Sequence, residues 1–134
     1  MPSLNNAGFA MNGRLLLDMN AVIALLNGNA NLNQMCSQAT WIGISIITEL
    51  EFLSFPGLSA GDAALFQQFK SRVQVISLEE SNAVLKSTTI QLRQSFGIKL
   101  PDAIIAASAV IQQADLVSND SVFGRVSALR TQIF

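Results

Sequence analysis

The chain has 134 residues, of which 50% are apolar and 13% are charged, with a formal net charge of −1. This length suits one domain with a core of its own, and no apolar run approaches the ~18 residues that a membrane span needs. The sequence has no histidine and only one cysteine, Cys36. It therefore excludes catalytic histidines, histidine metal sites and an internal disulfide, and it fits a reducing, cytoplasmic location.

Short apolar runs that alternate with helical patterns predict an α/β fold. Residues 1–13 are polar and Asn-rich, and they are expected to form a poorly ordered extension in which Met11 is an alternative start. Residues 14–134 are expected to form the single domain. Strands are predicted from apolar, β-rich runs at residues 14–17, 41–47, 73–76, 116–117 and 131–134.

Helices are predicted from the spacing of apolar residues and from the turn residues that end each pattern. They cover residues 21–26, 32–39, 48–54, 59–71, 78–96 and 101–113, and a short helix follows Asp120. Strands and helices in this order predict a three-layer α/β/α sandwich with a mostly parallel central sheet of four to five strands.

Four acidic residues lie where a strand gives way to a helix or where a helix begins. Asp18, Glu51 and Asp120 follow predicted strands, and Asp102 begins the helix that leads to the fourth strand. Because parallel strands end at one edge of a sheet, these acids are expected to share a crevice there. Clustered carboxylates raise each other's pKa values, and a divalent cation relieves that repulsion. Mg²⁺ suits such oxygen ligands and could activate water for attack on a phosphate.

Each acid also has a structural explanation of its own. Asp18 or Asn20 could cap the helix that follows the first strand. The spacing of Thr48 and Glu51 is that of a capping box, in which the glutamate reaches back to the amide of the capping residue. A negative charge at Asp102 is favourable in the first turn of a helix. Asp120 could start the last short helix.

Two further acids are expected to be structural. Glu49 competes with Glu51, but residues two positions apart on a helix point in nearly opposite directions, so at most one faces the site. Glu51 is preferred because it lies three positions after Thr48. Asp115 precedes the fourth strand at the opposite end, and it is expected to be a solvated turn residue.

The charge and apolar content bear on possible partners. A net charge of −1 without a Lys/Arg cluster is unusual for a protein that binds nucleic acid. An RNA substrate would then require bound metal, scattered arginines or a basic partner chain. The high apolar content predicts an exposed apolar patch, and hence a dimer or a bound regulatory chain.

Four segments of the chain, in order from Leu15 onward, resemble the motifs of PIN domains, and specifically of the VapC toxin ribonucleases of type II toxin–antitoxin systems. The segments are Leu-Leu-Leu-Asp18-Met-Asn20, Ile44-Ser-Ile-Ile-Thr48-Glu-Leu-Glu51, Leu100-Pro-Asp102-Ala-Ile-Ile-Ala-Ala and Leu116-Val-Ser118-Asn119-Asp120-Ser-Val-Phe123. Ser118 stands where a threonine is more frequent in the family. No single motif is specific, whereas all four in order make the resemblance strong.

The resemblance implies a homodimeric endoribonuclease that uses Mg²⁺ or Mn²⁺ to hydrolyse RNA and is neutralised by a small antitoxin. It implies that four residues are catalytic and bind metal: Asp18, Glu51, Asp102 and Asp120. Asn20, Ser118 or Asn119 would orient water or a carboxylate. Many relatives carry a further acid or basic residues near the last motif, whereas here Asn119 is neutral and only Arg125 is basic nearby.

Three other interpretations remain. A phosphoacceptor receiver domain would need paired acids near the first strand and a lysine at a later strand end, and the chain has neither. A haloacid-dehalogenase-type phosphatase would need Asp-x-Asp, but position 20 is asparagine. A catalytically silent PIN-like module that only binds a partner agrees with the high apolar content and sparse positive charge.

Overall fold

A computed structural model of the chain describes residues 13–134. The extension predicted for residues 1–13 lies outside this range except for Gly13, whose carbonyl oxygen accepts a 2.7 Å hydrogen bond from the Thr40 amide. The strands are β1 (Arg14–Leu17), β2 (Trp41–Ser45), β3 (Gln74–Ile76), β4 (Asp115–Val117) and β5 (Thr131–Gln132). The helices are α1 (Met19–Leu26), α2 (Ala30–Ser37), α3 (Ile46–Leu53), α4 (Ala60–Lys70), α5 (Ala83–Phe96) and α6 (Leu100–Ile111), followed by a 3-10 helix at Ser121–Arg125.

The five strands form one parallel sheet in the order β3-β2-β1-β4-β5. In the centre of the sheet, Leu16 of β1 is in register with Gly43 of β2 and with Leu116 of β4. The predicted α/β fold with a parallel sheet is confirmed, and the fifth strand lies at the edge as expected. Within residues 13–134, no helix is both long and apolar enough to span a membrane.

Helices cover both faces of the sheet, and β1 shows why its sequence is continuously apolar. Leu16 belongs to the core cluster that contains the buried residues of α5 and α6. Leu15 and Leu17 belong to the opposite cluster, with residues of α1, α3 and α4 such as Val22 and Phe66. Side chains alternate between the two faces of a strand. A strand that is buried on both faces is therefore apolar at every position.

The turn from β2 into α3 comes earlier than predicted. The strand ends at Ser45, whose hydroxyl accepts a 3.1 Å hydrogen bond from the Ile47 amide and caps α3. Thr48 therefore lies inside the helix, and the predicted capping box of Thr48 and Glu51 is wrong. The β-rich residues Ile46 and Ile47 are helical here because a buried serine at the strand end satisfies a free amide of the helix.

Two other predictions are corrected. The helix predicted from residue 78 begins only at Ala83, because the Asn82 side chain accepts a 3.1 Å hydrogen bond from the Leu85 amide and caps α5. Asp115 is not a solvated turn residue. It is buried in β4, where Arg130 and Gln132 from the neighbouring β5 segment bind its carboxylate.

Candidate active site

Asp18 directly follows β1 and caps α1, so one side chain serves both the helix and the site. Its Oδ1 accepts a 2.9 Å hydrogen bond from the Ala21 amide. Burial raises the pKa of the Asp18 carboxyl above its usual value, although hydrogen bonds from Ser118 and the Ala21 amide oppose the rise. The negative charge of Asp120 raises this pKa further. Capping alone therefore does not compensate the charge of this buried acid.

The segment after β4 connects two of the acids. The buried Ser118 side chain forms a hydrogen bond with Asp18, and its hydroxyl oxygen accepts a 3.0 Å hydrogen bond from the Asp120 amide. Asp120 caps the 3-10 helix, where its Oδ1 accepts a 3.0 Å hydrogen bond from the Val122 amide. Ser118 thus fixes the ends of β1 and β4 relative to one another.

Glu51 of α3 and Asp102 in the first turn of α6 belong to the same electrostatic group. Partial removal from water raises the pKa of Glu51, and the charges of Asp102 and Asp18 raise it further. Partial burial likewise raises the pKa of Asp102, as does the charge of Asp120, whereas the nearby Lys99 lowers it. Each of the four predicted acids therefore acts on another one across the carboxyl edge of the sheet.

The four acids interact electrostatically but do not form a complete metal-binding site. Among the residues that the structure describes, no group of three or more Asp, Glu, Cys or His side chains is arranged to hold a metal ion. The chemistry of the donors nevertheless fits a hard divalent cation, which prefers carboxylate oxygens. In the described chain, none of the four acids forms a salt bridge, whereas Glu49, Glu80 and Asp115 are all paired with a lysine or arginine.

The structure separates the two glutamates of α3. Glu49 forms a 3.0 Å salt bridge with Lys70 of α4, and its charge raises the pKa of none of Asp18, Glu51 and Asp102. Glu51 is the α3 residue that faces Asp102 and Asp18 electrostatically. Thr48, one turn before Glu51, is fully buried, and its hydroxyl has no hydrogen-bond partner within the described part of the chain.

The predicted supporting residues differ in what they contact. Ser118 holds Asp18 and Asp120 as described above. Asn20 is exposed in the first turn of α1. Asn119 pairs with the backbone of Phe134: its Nδ2 donates to the carbonyl oxygen at 2.9 Å, and its Oδ1 accepts from the amide at 2.8 Å. The Asn119 side chain is therefore engaged by the segment after β5 and not by a carboxylate.

One basic residue was missed in the sequence. Lys99 immediately precedes α6, and its charge lowers the pKa of Asp102. Its position three residues before Asp102 was a visible signal, but only the structure shows that this lysine lies beside the acidic edge.

An apolar groove lies where α1, α3 and α4 meet. It has a volume of about 170 Å³, and its walls include Met19 and Phe52, which adjoin Asp18 and Glu51 in the sequence. Two of its residues are strongly exposed for their type, Phe55 at 56% and Leu65 at 46%. The exposed apolar surface expected from the composition is present here.

Comparison with known proteins agrees with this architecture. The family model of the PIN domain matches residues 15–129. No curated protein matches the sequence. A toxin–antitoxin complex from Klebsiella pneumoniae contains a chain that is 24% identical, with a TM-score of 0.72 over 87% of this chain and 96% of that one.

Two further solved structures share the fold. VapBC2 from Rickettsia felis, bound to a DNA fragment from its promoter, is 23% identical with a TM-score of 0.73 over 89% of this chain and 97% of that one. DNA-bound VapBC from Salmonella typhimurium is 21% identical with a TM-score of 0.74 over 90% of this chain and 97% of that one. The predicted resemblance to PIN domains is confirmed, and the chain belongs to the PIN-domain family of nucleases.

Proposed function

We propose that this protein is a metal-dependent endoribonuclease that hydrolyses RNA phosphodiester bonds and is the toxin of a toxin–antitoxin pair. The observation that supports this most directly is the set of four mutually repelling carboxylates at the carboxyl edge of the sheet, none of which has a lysine or arginine salt-bridge partner in the described residues. Membership of the PIN-domain family, a family of nucleases, supports a hydrolytic role for these carboxylates.

In this proposal, Asp18, Glu51 and Asp102 hold the principal Mg²⁺ or Mn²⁺ ion, and Asp120 is the ligand for a second ion. Bound metal would supply Lewis-acid polarisation of a phosphate oxygen and would acidify water at neutral pH. The protein's own contribution is orientation. The Ala21 amide and the Ser118 side chain hold the Asp18 carboxylate, and such outer partners fix the direction of metal ligands.

The test is cleavage of a fluorophore-quencher RNA by wild type, Asp102→Asn and Asp62→Asn, each with Mg²⁺, with Mn²⁺ and with EDTA. Asp62 is a matched control because it is the third residue of α4, as Asp102 is the third residue of α6. Both charges serve a helix N-terminus, but only Asp102 belongs to the acidic edge. Wild type and Asp62→Asn should cleave RNA only with metal. Asp102→Asn should lose at least about 100-fold, since even outer-shell partners of a metal contribute 10–100-fold.

A melting curve gives a second readout that does not depend on cleavage. A ligand that binds only the folded state raises its melting temperature, so Mn²⁺ should stabilise wild type and Asp62→Asn but not Asp102→Asn. Equal cleavage by Asp102→Asn and wild type would show that the acids take no part in the reaction. An equal Mn²⁺ effect on all three proteins would remove them from metal binding.

The proposed antitoxin and the homodimer are supported by the apolar surface. At about 170 Å³, the groove of α1, α3 and α4 is smaller than the roughly 300 Å³ of typical small-molecule pockets. It suits side chains inserted by a protein partner. Two of the similar structures are VapBC complexes, and a third is a toxin–antitoxin complex. We place the action of the protein on RNA in the cytoplasm.

The second candidate is a catalytically silent PIN-like module that only binds a partner. It is favoured by the net charge of −1 and by the absence, among residues 13–134, of three acids already arranged to hold a metal. The same experiments separate the two functions, because a silent module would neither cleave RNA nor gain stability from Mn²⁺.

A further inference from the structure

The basic residues of this chain are few, and the structure divides them into two groups. Three of the eight lysines and arginines form salt bridges, namely Lys70, Lys86 and Arg130. Arg14 stacks 4.3 Å from the centre of the Trp41 ring. The other four are exposed and have no salt bridge within the described residues: Arg72, Arg93, Lys99 and Arg125.

Three of these four cations either belong to the connection between α5 and α6 or bond to it. Arg93 Nε donates a 3.3 Å hydrogen bond to the Ile98 carbonyl oxygen. Arg125 Nη2 donates a 2.7 Å hydrogen bond to the Phe96 carbonyl oxygen, although Arg125 follows 29 residues later in the sequence. Lys99 occupies the N-cap position of α6, where its side chain forms no capping hydrogen bond. Arg93 and Arg125 therefore both bond to the backbone of residues 96–98, and Lys99 follows directly in the chain; these three residues are called the basic cluster.

The contacts that hold this cluster leave its charge available. Both arginines bond to backbone carbonyl oxygens and not to carboxylates. A guanidinium group has five N–H donors, and each of these bonds uses one of them. The remaining donors suit the bidentate recognition of phosphate oxygens, for which arginine is especially fitted. The two arginines of the cluster have no carboxylate partner among the described residues, so their charge is available to an anionic ligand.

The position of the cluster indicates which class of anion it binds. Lys99 lies three residues before Asp102, and its charge acts on that carboxylate. A ligand on the cluster can therefore continue directly onto the acidic edge. A polyphosphate backbone meets both requirements, because one phosphate can lie at the acids while its neighbours lie on the cations.

We propose that Arg93, Lys99 and Arg125 bind the backbone phosphates of RNA next to the bond that is cut. This inference rests on the proposed ribonuclease function and adds its substrate-binding surface. It also answers how a chain with a net charge of −1 can bind RNA: most of its free cations are gathered at one place beside the acids.

The test is fluorescence anisotropy with a short labelled single-stranded oligoribonucleotide, measured in EDTA over a range of salt concentrations. For single strands, the logarithm of affinity falls with the logarithm of salt with a slope of about −0.7 per neutralised phosphate. Arg93→Gln, Lys99→Gln and Arg125→Gln should each make the slope shallower by about 0.7, and the triple variant by about 2.

Two controls make the result specific. Arg72→Gln removes an equally exposed, unpaired cation just before β3, at the opposite edge of the sheet, and it should leave the slope unchanged. Arg125→Lys and Arg93→Lys keep the charge while altering the hydrogen bond to the loop, so they should keep most of the slope. A melting curve of each variant verifies that the protein still folds, and Lys99→Gln breaks no hydrogen bond because the Lys99 side chain forms none within the described residues.

The outcomes separate this proposal from the proposed function. The cluster is refuted if all its variants bind RNA with the slope of wild type, or if Arg72→Gln loses as much as they do. It is also refuted if the variants keep RNA binding but lose binding to polyglutamate, which would assign the surface to an acidic protein. RNA binding that needs the cluster without any cleavage would leave the surface standing and overturn the nuclease. Cleavage with RNA binding unchanged in the triple variant would do the reverse.

Discussion

The two edges of the parallel sheet treat buried acids in opposite ways. Asp115 at the amino edge is 4% exposed and Asp18 at the carboxyl edge is 6% exposed, on neighbouring strands. Asp115 forms a 3.3 Å salt bridge with Arg130 and accepts a 2.9 Å hydrogen bond from Gln132. Asp18 has only hydrogen-bond donors as partners, and the like charge of Asp120 raises its pKa. Equal burial therefore has different consequences at the two edges.

This difference separates an acid that stabilises the fold from acids that are candidates for a functional site. A buried carboxylate without a cation costs stability, and a folded protein usually pairs it. The amino edge follows that rule, since Arg130 pairs with the buried Asp115 there. At the carboxyl edge, the buried Asp18 has no salt bridge within residues 13–134. The other three acids have none either, although the charge of Lys99 acts on Asp102. An uncompensated group of this kind is a candidate for chemistry.

The largest expected effect compares the two glutamates of α3. Glu51→Gln removes a carboxylate of the acidic edge, whereas Glu49→Gln removes the partner of Lys70. We expect Glu51→Gln to lower RNA cleavage by at least about 100-fold, by the same reasoning that applies to metal ligands, and Glu49→Gln to leave it within a few-fold of wild type. The measurement is the initial rate with Mn²⁺. Equal losses in both variants would show that the helix, and not the carboxylate, is what matters.

The next effect is on stability and contrasts the two buried aspartates. Asp115→Asn weakens the charged hydrogen bonds to Arg130 and Gln132, so the free energy of unfolding should fall by about 2 kcal/mol. Asp18→Asn keeps a residue that caps helices well and removes an uncompensated charge, so without metal it should be neutral or stabilising. Urea denaturation in EDTA measures both. If Asp18→Asn were the more destabilising of the two, the contrast between the edges would be wrong.

A smaller effect should appear in the pH dependence of metal-free stability. The pKa values of Asp18, Glu51 and Asp102 are raised in the folded state from ordinary values of 3.8, 4.5 and 3.8. The folded state therefore binds more protons, and these groups make stability fall as pH rises through the raised pKa values. Asp102→Asn should be more stable than wild type at neutral pH, and this gap should close as the pH falls toward the ordinary carboxyl values. Melting curves in EDTA at several pH values test this, and a gap that widens in acid would contradict it.

The smallest effect concerns two buried threonines in helices. The Thr48 hydroxyl has no partner in the described residues, whereas Thr89 Oγ1 donates a 2.8 Å hydrogen bond to the Leu85 carbonyl oxygen. Thr48→Val should raise the free energy of unfolding by about 1 kcal/mol, and Thr89→Val should not, because only the former removes an unsatisfied polar group. Chemical denaturation measures both. A loss of stability in Thr48→Val, together with a loss of cleavage, would instead assign the hydroxyl to the site.

Sequence patterns located the sheet edge at which the four acids lie more accurately than they located the element boundaries. The acids follow strands in an alternating α/β order, and that order alone places them at one edge. The start of α3 was misplaced because Ile46 and Ile47 favour strands, while the turn depended on Ser45, whose buried position is not visible in the pattern. Asp115 was misread because its partners, Arg130 and Gln132, come 15 and 17 residues later.

The sequence by itself determined the fold class, the order of the elements and the edge at which four acids gather, because apolar periodicity and strand–helix alternation are local properties. Only the tertiary structure decided which charges have partners. Asp115 pairs with Arg130, and Lys70 pairs with Glu49 and not with Glu51. Arg93 and Arg125 both bond to the segment that leads to Lys99. All of these contacts join separate elements of the chain. Such contacts are set by packing, since electrostatic interaction depends on distance in space and not on separation along the chain.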